Sequence, residues 1–273
     1  MYIQSFLPAP ALAAYVEQYC LWDVVAAPEA AVAAPVLPEV ASRLSICYSH
    51  PDESLTMAGR EVPATPMVEV AGMLTTRRLS SRQAGHLGGL GIYFRPTGFF
   101  SLFGVPLSAA IDTAQQPESS AGQFARELGQ RVSAAPTPAT RLASAEALLL
   151  RRLRWVQPTS DAMAHVAAFI QAQHGRVSVE ELAQVANLSR RQLERRFVAE
   201  VGTTPKLYAR IARFNYVLRL LDQAAAPDWP GISYQCGFFD QAHFIREFRS
   251  FTGESPGHYV QHYHDDAHFF WAR

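Results

Sequence analysis

The sequence lacks an excess of either charge, because its 273 residues carry 24 lysine and arginine side chains against 24 aspartate and glutamate side chains. A net charge of zero excludes a polycation that binds nucleic acid through bulk attraction to phosphates. The hydrophobic content of 49% and the absence of net charge also exclude a disordered chain. A chain of this length can bury one large core or two modest ones.

Cysteine is scarce, and long apolar runs are absent. Cys20, Cys47 and Cys236 are odd in number and far apart, which excludes a disulfide framework or a close-spaced metal knuckle. No segment approaches the roughly 18 uninterrupted apolar residues of a membrane span, and Met1–Pro10 does not have the basic start and apolar run of a secretion signal. We therefore expect a cytoplasmic protein in a reducing compartment, with no membrane partner, no cofactor and no metal site.

Residues 1–155 are predicted to form an α+β domain, a small antiparallel sheet or barrel with helices. Strand-like runs separated by proline and glycine occur at Arg43–Tyr48, Met67–Met73 and Leu90–Phe94. Helical patterns occur at Leu12–Tyr19, Ala121–Leu128 and Thr140–Arg154. The apolar face of the last of these helices either packs on its own domain or forms a dimer contact.

The strand signal ends near residue 155, and the rest of the chain reads as helices with short turns. We predict a second, all-α domain at residues 156–265 and a C-terminal tail at residues 266–273. The two domains are expected to have different roles, sensing or dimerisation for the first and the reading of a partner for the second.

An internal repeat identifies the functional part of the all-α domain. When the stretch from Arg195 to Tyr208 is shifted by 51 residues, five of its uncommon residues meet identical ones. The matched pairs are Arg195 with Arg246, Phe197 with Phe248, Gly202 with Gly253, Pro205 with Pro256, and Tyr208 with Tyr259. The same structural unit is therefore expected twice.

The first copy has the pattern of a helix-turn-helix. Ser178 and Ser189 each begin a capping box and each starts a short helix. The second helix buries Leu193 and Phe197 and exposes arginines from its first turns. Two short helices with a tight turn, of which the second presents basic side chains, are typical of DNA-binding proteins.

A long helix is predicted to join the two copies. It begins at the Thr204-Pro205 cap, and its apolar stripe steps by four and three residues to its end before Pro227. Asp240 is the predicted cap of the last recognition helix. The all-α domain is therefore predicted to consist of two helix-turn-helix units joined by a long helix.

These residues resemble the paired helix-turn-helix domain of AraC-type transcription regulators. The two segments that carry the resemblance are SVEELAQVANLSRRQLERRFVAEVGTTPKLY and GISYQCGFFDQAHFIREFRSFTGESPGHY. The second contains the family signature, G-F-x-D-x-x-H-F-x-R-x-F followed by G-x-x-P-x-x-Y. The N-terminal half resembles, more loosely, a module that precedes such domains.

The resemblance implies a sequence-specific DNA-binding transcription regulator, an activator, in the bacterial cytoplasm and associated with the nucleoid. Its implied partners are double-stranded DNA and RNA polymerase, with a small-molecule effector and a second copy of the chain as further candidates. The expected DNA-binding residues are Arg190, Arg191, Gln192, Glu194, Arg195, Gln241, Ala242, His243 and Arg246. The expected phosphate contacts are Ser189, Arg196, Lys206, Arg210, Arg213 and Arg249.

The chemistry of these residue types suits base reading. Arg191, Arg195 and Arg246 can each pair bidentately with guanine. Gln241 suits adenine, and Glu194 can accept a hydrogen bond from the cytosine amino group. Nine basic and four acidic residues lie between Arg176 and Arg219, so the neutral total conceals a local charge of +5. We expect modest non-specific affinity together with local readout.

Two other classes of protein remain as alternatives. The first is an enzyme with a DNA-targeting domain, such as a DNA-repair alkyl transferase, which needs a reactive thiol in an electropositive setting. None of the three cysteines has such a setting in the sequence, and no phosphate loop or nucleophile elbow occurs, so we expect no enzymatic activity. The second is a non-specific DNA-packaging protein, which two ordered reading units argue against.

Overall fold

The computed structural model describes residues 2–26, 35–49, 55–57, 60–62, 67–76, 78–79, 85–112, 114–115, 120–156, 161–223 and 227–263. The strands are β1 (Tyr2–Phe6), β2 (Val16–Ala26), β3 (Pro35–Val36), β4 (Ser42–Ser49), β5 (Leu55–Met57), β6 (Arg60–Val62), β7 (Met67–Ala71), β8 (Arg78–Leu79), β9 (Gly85–Phe94) and β10 (Ala114–Gln115). The helices are α1 (Gly98–Phe103), α2 (Ser120–Ala134), α3 (Pro138–Leu153), α4 (Ala162–Ala172), α5 (Val179–Val185), α6 (Arg190–Val201), α7 (Pro205–Gln223), α8 (Trp229–Gln235), α9 (Gln241–Thr252) and α10 (Pro256–Tyr263).

The N-terminal region is built on a six-stranded antiparallel sheet with the strand order β1-β2-β9-β4-β7-β10. Alternate residues at the start of β4 are buried, and in β9 the large apolar side chains Leu90, Ile92 and Phe94 are buried at alternate positions, as a sheet with one face on the core requires. Helices α2 and α3 contribute the other half of this core through Phe124, Leu128 and Leu149. The predicted α+β class and the three predicted strands are confirmed.

The predicted helix at Leu12–Tyr19 is wrong. A single 3-10 turn occupies Pro10–Leu12, and the chain then enters β2 at Val16. A β-bulge between Val16 and Gln18 inserts one residue, so that Val16 and Tyr19 are both fully buried although they are three apart. The bulge gave a strand the residue spacing of a helix.

The predicted helices at Ala121–Leu128 and Thr140–Arg154 are confirmed as parts of α2 and α3. The apolar face of α3 lies in the N-terminal core, where Ala145 and Leu149 are fully buried. This face therefore packs on its own domain, which was the first of the two alternatives for this helix.

The C-terminal region is all-helical in its described part. Its single hydrophobic cluster runs from Met163 in α4 to Tyr259 in α10. The predicted boundary at residue 155 lies between α3 and α4, close to residues 157–160, which are outside the described part of the chain. The predicted tail, residues 266–273, is also outside it. In the described residues, no helix is both long enough and apolar enough to cross a membrane.

The N-terminal region packs against the first half of the helical region. Leu37 and Met73 are buried in the helical cluster, and the side-chain amide of Asn215 in α7 donates a hydrogen bond to the Pro38 carbonyl oxygen at 2.8 Å. The 3-10 turn Leu107–Ala110 lies against α6. The first half of the helical region is therefore fixed by contacts with the folded N-terminal region.

Candidate nucleic-acid interface

The first helix-turn-helix consists of α5 and α6, and both helices start with the predicted capping boxes. The backbone N–H of Glu181 donates to the Ser178 hydroxyl at 3.1 Å, and the Ser178 N–H donates to the Glu181 carboxylate at 2.7 Å. Ser189 and Gln192 repeat this reciprocal pair at 3.3 and 3.0 Å. Each box satisfies backbone donors that the first turn of a helix leaves without partners. The start of the recognition helix α6 is thereby fixed.

The recognition helix α6 presents two arginines to solvent. Leu193 and Phe197 are fully buried beneath it, whereas Arg191 and Arg195 are exposed one turn apart. Arg190 is engaged with carboxylates, since it donates to Glu194 and to Glu180 of α5, both at 3.1 Å. On the exposed face of the first unit, Arg191 and Arg195 are therefore accessible to a ligand, whereas Arg190 and Glu194 are paired with each other.

The second helix-turn-helix consists of α8 and α9. Asp240 caps α9 as predicted, because its carboxylate accepts a hydrogen bond from the His243 N–H at 2.6 Å. Gln241, Ala242 and Arg246 are exposed on this recognition helix. The partly exposed ring of His243 packs edge-on against Phe238, with 5.5 Å between the centroids. The structure therefore brings the predicted contacts of the second unit onto one short helix.

The sequence repeat is also a structural repeat. Phe197 and Tyr208 form an edge-to-face pair with centroids 5.4 Å apart, and Phe248 and Tyr259, 51 residues further on, form the same pair at 5.5 Å. Gly202 and Gly253 end the two recognition helices in the left-handed conformation, with φ of 98° and 79°. A residue with a Cβ rarely adopts such φ values, so the repeated glycine marks the same turn twice.

A cleft of about 530 Å³ separates the two units. Its wall on α7 carries Lys206, Arg210 and Arg213, and its wall on α9 carries His243 and Glu247. Three of the predicted phosphate contacts and one predicted base contact therefore line one space. The cleft is lined by residues of α5, α7 and α9, which places it between the two helix-turn-helix units.

Comparison with known proteins agrees with this architecture. Residues 182–262 match the family model described as Helix-turn-helix domain, and residues 4–116 match the one described as Domain of unknown function (DUF6597). The HTH-type transcriptional activator RhaS of Enterobacter sp. (strain 638) is 36% identical over 83 residues, which are 29% of this chain and 28% of that protein. Residues 182–262 thus form a helix-turn-helix domain, in agreement with the resemblance to AraC-type regulators.

Two solved structures are also similar. The DNA-binding domain of AdpA, a global transcriptional factor in complex with a target DNA, is 31% identical, and the match covers 38% of this chain and 94% of that one with a TM-score of 0.35. ToxT from Vibrio cholerae is 10% identical, and the match covers 89% of this chain and 97% of that one with a TM-score of 0.44. The present chain spans less than a third of the length of RhaS, the curated relative it matches.

Several residues that are predicted to contact phosphates already have a hydrogen-bond partner within the protein. Arg196 pairs with Glu200 at 2.9 Å, and Ser189 is part of its capping box. Arg213 is half-buried and donates to the Gly175 carbonyl oxygen at 2.8 Å, and burial lowers its pKa. Lys206 and Arg249 are exposed. Sequence patterns find these cations but cannot show which of them already have a partner.

Glu247 is a residue that the sequence did not single out. Its carboxylate accepts two hydrogen bonds from Arg210, at 2.8 and 2.9 Å, which joins α9 to α7. A bidentate pair of this kind fixes orientation as well as distance. The two residues are 37 apart in the chain, so no local spacing could have indicated the contact.

Two of the three thiols, those of Cys47 and Cys236, are not in the setting of a reactive cysteine. Cys236 is fully buried in the second unit, and burial raises its pKa to about 11. Burial also raises the pKa of Cys47 to about 11. A thiol acceptor needs its pKa lowered, because the thiolate is the nucleophile. The alkyl-transferase alternative is not favoured.

Proposed function

We propose that this protein is a sequence-specific DNA-binding regulator of transcription that reads two adjacent segments of major groove. One observation carries the proposal: the helix-turn-helix unit occurs twice, each time with a side-chain cap and a closing glycine on an exposed recognition helix and with the same aromatic pair. A protein that only packages DNA has no need for two ordered reading helices.

The long helix α7 sets the spacing of the two units. Its 19 residues span about 28 Å at a rise of about 1.5 Å per residue. The major groove returns to the same face of B-DNA after roughly 34 Å. Two recognition helices joined by α7 and its end turns therefore suit two successive turns of groove. Such a site is asymmetric, because the two units present different side chains.

In the first segment, Arg191 and Arg195 are proposed to pair with guanine O6 and N7. Both are exposed one turn apart on α6. Glu194 would accept a hydrogen bond from a cytosine amino group once Arg190, its present partner, turns toward a phosphate. The Gln192 side chain serves mainly the helix cap, so its contact to DNA would be made at the edge of the groove.

In the second segment, Gln241 is proposed to read adenine and Arg246 to read guanine. Ala242 lies beside them on the exposed face of α9. The ring of His243 lines the cleft between the units and would meet the backbone that crosses it. Each good bidentate contact is worth about 1 to 3 kcal/mol of discrimination against the wrong base.

The phosphate contacts are proposed to fix the position of the protein along the DNA duplex. Lys206 and Arg249 are exposed and need no rearrangement. Arg210 and Arg196 would have to exchange a carboxylate for a phosphate, which keeps each guanidinium paired and releases Glu247 and Glu200. Ser189 lies at the N-terminus of α6, which favours a nearby phosphate oxygen, although its hydroxyl and N–H would first have to release Gln192.

We further propose that bound protein activates transcription, with RNA polymerase as its partner. The name of the relative RhaS, a transcriptional activator, supports this step. Residues 1–155 would then sense a small-molecule effector or hold a second copy of the chain. In vitro transcription from a template carrying the selected site should rise with added protein, and an unchanged or lowered transcript level would contradict activation.

The experiment that tests DNA reading is selection from random duplexes with the purified full chain. We expect one asymmetric site with two preferred segments about one helical turn apart. Enrichment of no sequence would revive the packaging alternative. A palindrome with identical halves would contradict reading by two different units of one chain and indicate a dimer instead.

A further inference from the structure

The two reading units differ in the charge available to hold DNA. The first unit, residues 178–202 with α5 and α6, carries four basic and four acidic side chains, and the joining helix α7 adds four basic ones. The second unit, residues 228–253 with α8 and α9, carries two basic and three acidic side chains. Attraction to phosphates is weaker when fewer cations lie near the DNA backbone. The second unit must therefore gain its affinity from another source.

The second recognition helix presents apolar side chains where the first presents charge. Phe239 is 92% exposed, immediately before the cap of α9, and Ile245 is 37% exposed within the helix. Ala242 is exposed three residues before Ile245, so the two lie on one face of α9. Gln241 and Arg246 lie on that face as well, which makes the apolar side chains continuous with the proposed base-reading surface.

The fold does not use Phe239. The residue before a helix cap commonly packs against the fourth residue of the helix, which here is Phe244. Phe238 makes that contact instead, with the ring centroids 5.3 Å apart. Phe239 is therefore left in solvent beside the start of the recognition helix. A large apolar ring in such a place loses contact with water when a partner covers it.

We propose that Phe239, Ala242 and Ile245 form an apolar reading patch that contacts the C5-methyl groups of thymines in the second segment. This inference rests on the proposed function. Thymine is the base that carries a methyl group in the major groove, and apolar side chains recognise it by contact. Ala242 and Ile245 are about 4.5 Å apart along the helix axis, and successive base pairs are about 3.4 Å apart. The patch can therefore reach neighbouring base pairs.

The surroundings of the patch favour DNA over a protein partner. The polar readers Gln241 and Arg246 lie on the same face of the same helix. A protein that covered the patch would also cover both of them and prevent base reading. We therefore assign the patch to the DNA, and a protein partner is an outcome of the test below.

The test removes only the methyl group. Deoxyuridine in place of thymidine keeps every hydrogen-bonding group of the base pair. We expect the full-length chain to bind the selected duplex about fourfold more weakly for each methyl group removed from the second segment. The same replacement in the first segment should leave the affinity unchanged, because α6 presents arginines there.

Variants assign the effect to the patch. Ile245→Ser and Phe239→Ser should each bind the thymine duplex more weakly and respond less to deoxyuridine. Tyr234→Ala is the matched control, because Tyr234 is 87% exposed in the same unit but lies on α8. That variant should respond to deoxyuridine as the wild type does. All three positions are exposed, so the variants should fold.

The outcomes separate this inference from the proposed function. The patch inference is overturned if the second segment of the selected site contains no thymine, or if binding of the wild type is unaffected by deoxyuridine. In either case the proposed function as a DNA-binding regulator is unaffected. If both serine variants keep the wild-type response but lose transcription activation, the patch faces a protein and the inference is again overturned. If no sequence is selected, both proposals fail.

Discussion

The two helix-turn-helix units have the same backbone plan but different supports. The first contacts the N-terminal region through the 3-10 turn Leu107–Ala110, which lies against α6, and Asn215 of the joining helix α7 donates a hydrogen bond to the Pro38 carbonyl oxygen. The second is held by α7 and by the Arg210–Glu247 pair, and its core is mainly aromatic. The duplicated residues thus fix the unit itself, while residues outside the repeat decide how each copy is placed.

The side chains of the two copies can likewise be divided into those that the copies share and those that differ. The two copies share their buried positions, a side-chain cap on the recognition helix and the closing glycine, whereas the exposed faces diverge into an arginine-rich helix and a helix with apolar side chains. Folding requires the shared buried and capping residues, and the reading of different base sequences requires the exposed residues that differ. The comparison therefore predicts equal structural effects and unequal DNA effects at matched positions of the two copies.

The largest expected effect is on stability. Phe197→Ala and Phe248→Ala each remove a ring that is at most 1% exposed, and each should lower the free energy of unfolding by about 3 to 5 kcal/mol. Chemical denaturation measures this. Phe239→Ala is the control, because its ring is already in solvent and the expected change is within about 0.5 kcal/mol. A large difference between the two buried positions would break the structural equivalence of the units.

A smaller effect is expected at the matched helix caps. Ser189→Ala and Asp240→Ala each remove a side-chain acceptor from the start of a recognition helix, and each should cost about 1 kcal/mol in free energy of unfolding. Thermal denaturation of both variants measures the loss. Ser189→Asn, which keeps a capping acceptor, should recover most of the stability. Failure of that recovery would indicate that the hydroxyl matters for another reason.

The smallest expected effect is on salt dependence. Lys206→Ala should weaken binding to all duplexes about equally and reduce the slope of log K against log salt by about 1. Ile245→Ser should lower affinity with the slope unchanged, because it removes no charge. Binding titrations at several salt concentrations measure both slopes. An equal change of slope in the two variants would contradict the division between a charged unit and an apolar one.

Much of the helical region follows from its sequence, because caps, closing glycines and buried aromatics are local signals and occur twice. The capping boxes at Ser178 and Ser189 and the cap at Asp240 are confirmed residue by residue. The β2 strand could not be predicted in the same way, since its bulge at Val16 and Gln18 depends on pairing with β9, about 75 residues away. The spacing of Val16 and Tyr19 therefore indicated the wrong element.

The candidate interface follows from the sequence only in part. Exposure of Arg191, Arg195 and Arg246 could be predicted from helical periodicity, and the structure places all three in solvent. The partners of the other cations could not, because Glu247 and Gly175 are 37 and 38 residues from the arginines they bind. Contacts between distant parts of a chain leave no mark in the local pattern. The base and phosphate roles of these residues stay predictions.

The central claim is that each unit reads its own segment, and one set of affinities tests it most directly. Wild type, Arg191→Ala and Arg246→Ala are titrated against the selected duplex and against duplexes with one segment randomised. The account predicts that Arg191→Ala no longer distinguishes guanine in the first segment but still responds to changes in the second, and that Arg246→Ala shows the reverse, each with a loss of about 1 to 3 kcal/mol. Uniform loss across all duplexes in both variants would contradict it.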